Sequence, residues 1–73
     1  MSTYSQYKYW SIIHGSEVMR ISVRNSNRDE LFMIVPIERG SRAQREAREK
    51  ALDELEQAIF RGDEPGQIQY RMA

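Results

Sequence analysis

The sequence predicts a small α+β domain, with a three-stranded antiparallel sheet in the order β-β-β-α, a fourth short strand, and one helix packed on one face of the sheet. Apolar and polar residues alternate from Met19 to Arg24, a period of two that is typical of a strand with one buried face. From Ser41 no Gly or Pro occurs until Gly62, and alanines and leucines recur at helical spacing. Strands followed by a helix over one core indicate the α+β class.

Residues 7–37 are expected to form a three-stranded meander. The first strand is rich in aromatic and β-branched residues, and Gly15-Ser16 predicts a two-residue type II′ turn because glycine adopts the positive φ that this turn needs. The polar cluster at 25–29 predicts the second turn, since short amide and carboxyl side chains bond their own backbone. The run 31–37 is apolar at nearly every position, as in a strand with contacts on both faces.

A helix is expected over residues 41–61, with Ser41 as its N-cap, Gln44 completing a capping box, and Gly62 as the C-terminal stop.

The alternation after the Pro65-Gly66 turn predicts a final strand within residues 67–72. Residues 1–6 are expected to form a polar N-terminal arm. No linker or internal repeat interrupts the chain, so residues 1–73 are expected to be a single domain.

The composition excludes several kinds of chemistry. The 73 residues include eleven basic and eleven acidic side chains, one histidine and no cysteine. A lone His14 cannot supply the common zinc sites or a Ser-His or Cys-His nucleophile, so we expect no enzyme, no catalytic residues, no metal site and no small-molecule cofactor. The lack of cysteine indicates a reducing compartment, the cytoplasm. No apolar run reaches the roughly 18 residues of a membrane span, so no membrane partner is expected.

The alternation of the strands sorts their residues between two faces of the sheet, because one helix can cover only one face. The expected helix side holds Trp10, Ile12, Met19, Ile21, Val23, Leu31, Met33, Val35 and Ile37. The expected open side holds Tyr7, Tyr9, Ser11, Ile13, Val18, Arg20, Ser22, Arg24, Phe32 and Ile34.

Tyrosine, arginine and apolar side chains on one open face are typical of a binding surface. The predicted partner-binding residues there are Tyr7, Tyr9, Arg20, Arg24 and Phe32. Another protein, a second copy of the chain, or single-stranded nucleic acid stacked on the rings could occupy this face. The neutral net charge disfavours nucleic acid. In a further alternative, the rings shield one another and the arginines lie over them without any partner.

Basic residues also gather at the start of the predicted helix, where the helix dipole disfavours positive charge. Arg42 and Arg45 stand four residues before Glu46 and Glu49, so surface ion pairs account for them. Contact of these arginines with an acidic partner is the alternative.

Two resemblances follow from short patterns. Three strands and a helix, with Arg20 and Arg24 on the sheet, resemble the arm-binding domains of phage integrases and a plant DNA-binding domain that reads DNA with its sheet. Tyr9-Trp10 and Val35-Pro36-Ile37, with the Pro65-Gly66 turn, resemble short phage proteins that bind and inhibit host enzymes. The second resemblance implies a non-catalytic inhibitor, acting by occlusion or recruitment in the host cytoplasm if phage-encoded. A DNA- or RNA-binding module and a structural homodimer stay open as alternatives.

Overall fold

Strands and a single helix build residues 6–70, the part of the chain that the computed structural model describes. The elements are β1 (Tyr7–His14), β2 (Val18–Asn25), β3 (Glu30–Pro36), α1 (Ser41–Arg61) and β4 (Gly66–Gln67). They confirm the predicted α+β class and the order of its elements. Residues 1–5 of the predicted arm and 71–72 of the predicted last strand lie outside the described residues.

The strands lie in the sheet in chain order, β1-β2-β3-β4. The first three are antiparallel, whereas β4 runs parallel to β3. Because parallel neighbours need a crossover connection, α1 crosses the sheet between β3 and β4. The predicted length of the last strand was wrong, since β4 has two residues. Ile68 and Tyr70, which follow it, pack against the core.

The core lies between α1 and the central strands. Its fully buried sheet residues alternate along β2 and β3, which confirms the predicted helix side of both strands: Met19, Ile21, Val23, Leu31, Met33 and Val35. From α1, Ala47, Ala51, Leu55 and Ile59 meet them. The small alanines let the helix backbone approach the sheet closely, so the two layers share one dry core.

The helix leaves β1 uncovered. Trp10 and Ile12 lie on the helix side of the sheet as expected, but they are 40% and 36% exposed. A helix with its side chains is about 10–12 Å wide and strands are about 4.8 Å apart, so one helix shelters about two strands. The expectation that α1 shelters Trp10 and Ile12 was therefore wrong.

A β-bulge at the start of β1 turns Tyr7 away from its predicted face. Tyr7 pairs with Asn25 and Tyr9 pairs with Arg24, so Lys8 is one residue in excess. One extra residue reverses the alternation of side chains. Tyr7 consequently packs against the core, and its burial, with a smaller effect of Asp29, raises its pKa. Its predicted place on the open side was wrong.

Gly15 and Gln44 were both predicted to have local roles, and in the structure each has a different role. Gly15 does not have a positive φ, and its N–H donates to the Val18 carbonyl at 2.8 Å. A Cβ at this position would lie 2.9 Å from the same oxygen. The close approach of the Val18 carbonyl to the backbone of residue 15 therefore requires glycine. The predicted capping box was also wrong, because no side chain among residues 6–70 caps α1 and the Gln44 Oε1 accepts from the Glu38 N–H at 2.7 Å.

Two further predicted signals, the Gly62 stop and the turn at 25–29, are confirmed. Gly62 ends α1 with φ 78°, and its N–H donates to the Ile59 carbonyl. In the β2–β3 turn, the buried Asn25 Oδ1 accepts from the backbone N–H groups of Asn27 and Asp29, at 3.0 and 2.9 Å.

Candidate protein-binding surface

The sheet face opposite α1 carries most of the predicted binding residues, and we call it the open face. Its members pair across the strands in three rows: Tyr9 with Arg24 and Glu30, Ser11 with Ser22 and Phe32, and Ile13 with Arg20 and Ile34. Val18 lies on the same face at the start of β2, because it is two positions before Arg20 and side chains alternate along a strand. The strand register thus brings Tyr9, Arg20, Arg24 and Phe32 onto one surface, as predicted, and excludes Tyr7.

Arg20 forms an ion pair with Glu30 on the open face. Its guanidinium nitrogens donate to both carboxylate oxygens of Glu30, at 3.1 and 2.7 Å, and the guanidinium lies 4.2 Å from the centroid of the Phe32 ring. Such two-point pairs are the strong form of charge-assisted hydrogen bond. The hydrogen bond from Arg20 lowers the pKa of Glu30 and raises that of Arg20. Arg20 is therefore neutralised in place, and Phe32 is half-buried beneath it.

Arg24 is the exposed arginine of the open face. It stands between Tyr9 and Glu30 in its row, and its charge adds to the lowering of the Glu30 pKa. Tyr9 is 50% exposed, and the ammonium of Lys8 lies 5.6 Å from the centroid of its ring. This end of the open face combines an exposed ring with an exposed guanidinium.

Exposed apolar side chains lie on the open face near β1. Ile13 is 58% exposed and Val18 is 43% exposed. They are diagonal neighbours across the β1–β2 pair, because Ile13 lies opposite Arg20, two residues from Val18. Together with Tyr9 they form what we call the apolar patch. The predicted site omitted Ile13 and Val18, although the alternation had assigned both to this face.

Glu30 was also missed by sequence reasoning. It is the first residue of β3, just after the turn, and the pairing of Arg24 with Glu30 across that turn is the signal that could have revealed it. Opposite charges on neighbouring strands attract, so a basic strand predicts an acidic residue on the next one.

Arg42 and Arg45 do not join the open face. Both are on α1, in the layer on the other side of the sheet, and both are exposed. Arg42 Nε lies 3.4 Å from Glu46 Oε1, as an i,i+4 ion pair. This is the surface pair predicted from the sequence, and such pairs contribute little to stability.

The uncovered helix side of β1 forms a shallow groove of about 570 Å³. Trp10, Ser11 and Ile12 line it from β1, and Leu52 and Glu56 line it from α1. Strand β1 thus exposes apolar side chains on both of its faces.

No helix in residues 6–70 has the length and the apolar character needed to cross a membrane. Nor does any group of three metal-ligating side chains come together in that part of the chain. Searches against protein-family models, curated proteins and solved structures found no match for this chain.

Proposed function

We propose that this chain is a non-catalytic protein-binding domain that acts by occluding or recruiting a partner protein through the open face. The observation that carries the proposal is the apolar patch of Tyr9, Ile13 and Val18, whose members are all at least 43% exposed. Exposed apolar side chains and a tyrosine ring that share one sheet face with an exposed arginine have the composition of a protein interface. The cytoplasm, where cysteine-poor proteins are common, is the proposed location.

The charge of the open face favours a protein over a nucleic acid as the partner. Glu30 engages the guanidinium of Arg20, so the exposed cations near this face are Arg24 and Lys8, whose ammonium lies beside the Tyr9 ring. A phosphate backbone needs several free cations, because each neutralised phosphate adds to affinity. A mostly apolar contact needs none.

A pair of matched variants tests the proposal. Tyr9→Ser combined with Val18→Ser removes apolar area from the open face, whereas Phe60→Ser removes an 80% exposed apolar side chain from the helix layer. In pull-downs from the native host, with captured protein and nucleic acid both identified, we expect the double variant to lose the captured protein and Phe60→Ser to retain it. Circular dichroism shows whether each variant is folded.

The salt dependence of binding separates the two partner classes. We expect the affinity for the captured protein to change less than about threefold between low and physiological salt, whereas a nucleic acid contact weakens steeply. Capture of nucleic acid with a steep salt dependence, or retention of the protein by the folded double variant, would contradict the proposal. Loss of binding in Arg42→Ala with Arg45→Ala would extend the site to the helix layer.

A further inference from the structure

The two edges of the sheet differ in a way that bears on self-association. One edge is β4, with two residues, and the other is β1, with eight. A long, apolar edge strand is a template for pairing with another strand, and a very short edge strand is not. Of the two edges formed by the described residues, β1 is therefore the one that favours extension of the sheet.

The hydrogen-bond ladder identifies which backbone groups of β1 point outward. The Gly15 N–H bonds to the Val18 carbonyl, so these two residues form a hydrogen-bonded pair. In an antiparallel pair such bonding alternates along the strand, so Ser11 and Ile13 bond toward β2. The N–H and C=O groups of Trp10 and Ile12 consequently face away from β2.

We propose that β1 pairs antiparallel with β1 of a second copy of this chain, about a two-fold axis at Ser11. In this register Trp10 lies opposite the partner's Ile12 on the helix side, and Tyr9 lies opposite the partner's Ile13 on the open face. Trp10 and Ile12 exchange hydrogen bonds across the axis. The backbone groups of Ser11 bond to β2, so Ser11 lies opposite the partner's Ser11 as a pair without hydrogen bonds.

This register matches more apolar side chains than its neighbours do. With the axis at Trp10, Ile12 would lie opposite Lys8, and with the axis at Ile12, Trp10 would lie opposite His14. With the axis at Ser11, each of the four exposed apolar residues of β1 lies opposite an apolar residue of the other copy. Aromatic and β-branched cross-strand pairs each contribute about 0.2–1 kcal/mol.

The charge and the shape of the chain suit a closed dimer. The formal net charge is zero, so two copies do not repel each other at long range. In the two-fold dimer both β1 strands are paired, and a β4 strand lies at each end of an eight-stranded sheet. Association therefore stops at two copies. Strand pairing alone buries less than the roughly 800 Å² per partner of a standard interface, so we expect a dimer that dissociates on dilution.

The dimer depends on backbone pairing at the edge of β1, whereas the proposed function uses the outward surface of the open face. Tyr9 and Ile13 belong to both, so the dimer is tested with Ile12→Pro, which leaves the side chains of the open face unchanged. A monomeric chain could still bind its partner through the open face, and a dimeric chain could lack any partner. Each outcome is read separately.

Engineered cross-linking tests the register directly, since the chain has no cysteine of its own. In Ser11→Cys the two thiols would face each other across the axis, where the Cα atoms of a pair without hydrogen bonds lie about 4.5 Å apart, within disulfide reach. We expect Ser11→Cys to cross-link under mild oxidation at least about tenfold faster than Ser26→Cys, whose thiol lies in the β2–β3 turn. Equal rates for the two variants would overturn the register.

Sedimentation and hydrogen exchange of the unmodified chain test the dimer itself. Between about 1 µM and 1 mM we expect a shift from monomer to dimer, with the Trp10 and Ile12 amides gaining protection while Ser11 and Ile13 are protected throughout. Ile12→Pro removes an outward N–H and should yield a folded monomer, whereas Ile13→Pro breaks the bond to β2 and should unfold. A monomer at every concentration would overturn the proposal, even if Ile12→Pro fails to fold.

Discussion

At the scale of single residues, Arg28 has a backbone conformation that its side chain disfavours. Its φ is 66°, in the left-handed region, and its N–H donates to the Asn25 carbonyl at 3.1 Å to close the β2–β3 turn. A non-glycine residue in this region is strained by contact between Cβ and the backbone, which glycine avoids. The turn is held in spite of this strain by the two backbone bonds to the Asn25 side chain.

Replacing Arg28 with glycine should therefore stabilise the domain. We expect Arg28→Gly to raise the free energy of unfolding by about 0.5–1 kcal/mol, because relief of strain exceeds the added chain entropy. Urea denaturation followed by circular dichroism measures the change. Arg28→Ala, which removes the same charge and retains Cβ, is the control and should show no gain. A gain as large in Arg28→Ala would indicate a charge effect in place of strain.

Glu30 gives the stability a dependence on acid pH. The hydrogen bond from Arg20 holds its pKa below the ordinary glutamate value in the folded state. A lowered carboxyl pKa stabilises the fold fully above the ordinary value of about 4.3, and the contribution is lost as pH falls through the folded pKa. The urea midpoint of the parent chain should fall more steeply over this acid range than that of Glu30→Gln.

The control for this pH series is Glu64→Gln, which removes one exposed carboxylate from the turn after α1. An acid limb of the same steepness in the parent chain and in Glu30→Gln would show that the ion pair does not contribute to folding.

At the scale of elements, α1 depends on small side chains where it meets the sheet. Ala51 is fully buried in the core, and Ala47 and Ala58 are buried one turn before and two turns after it. A larger side chain there must displace the helix or distort rotamers, because protein interiors are already densely packed. The spacing of these alanines follows from the sequence, but their role follows from the closeness of the two layers.

Ala51→Leu should destabilise the domain by about 1–3 kcal/mol, since overpacking forces side chains and backbone to shift. Glu49→Leu adds a leucine to the exposed surface of the same helix and should change stability by less than about 0.5 kcal/mol. Thermal unfolding of both variants measures the difference. A stable Ala51→Leu variant would mean that unfilled space remains between α1 and the sheet.

At the scale of the whole molecule, the chain covers the sheet at its β3 end and leaves it uncovered at its β1 end. After α1 the chain returns beside β3, where the Ile68 N–H donates to the Phe32 carbonyl at 2.8 Å. Ile68 and Tyr70 then pack against the core, and burial raises the pKa of the Tyr70 hydroxyl. No equivalent segment covers β1 within residues 6–70, and Trp10 and Ile12 remain partly exposed there.

The return segment should therefore be part of the folding unit. We expect Ile68→Ala to lower the free energy of unfolding by about 1–2 kcal/mol, below the 2–5 kcal/mol of a fully buried isoleucine because Ile68 is half-buried. Gln69→Ala, at the exposed neighbouring position, is the control. Equal stability of the two variants in urea would show that the core is complete without this segment.

The sequence alone determined the kinds of element, their order, and the buried faces of β2 and β3. Hydrophobic periodicity is a local property, because side chains alternate in a strand and recur every 3.6 residues in a helix whatever lies around them. Stops such as Gly62 are equally local. These features could be read without knowing how the layers meet.

Only the tertiary structure decided which of the predicted residues form the surface. The bulge at Lys8 moved Tyr7 to the core side, the ion pair with Glu30 occupied Arg20, and the position of α1 left Trp10 exposed. Each depends on residues that are distant in sequence, through strand register, side-chain pairing or the width of the helix. The exposure of β1 on both faces thus arises because one helix, connected directly to β3, covers two strands of the sheet and not a third.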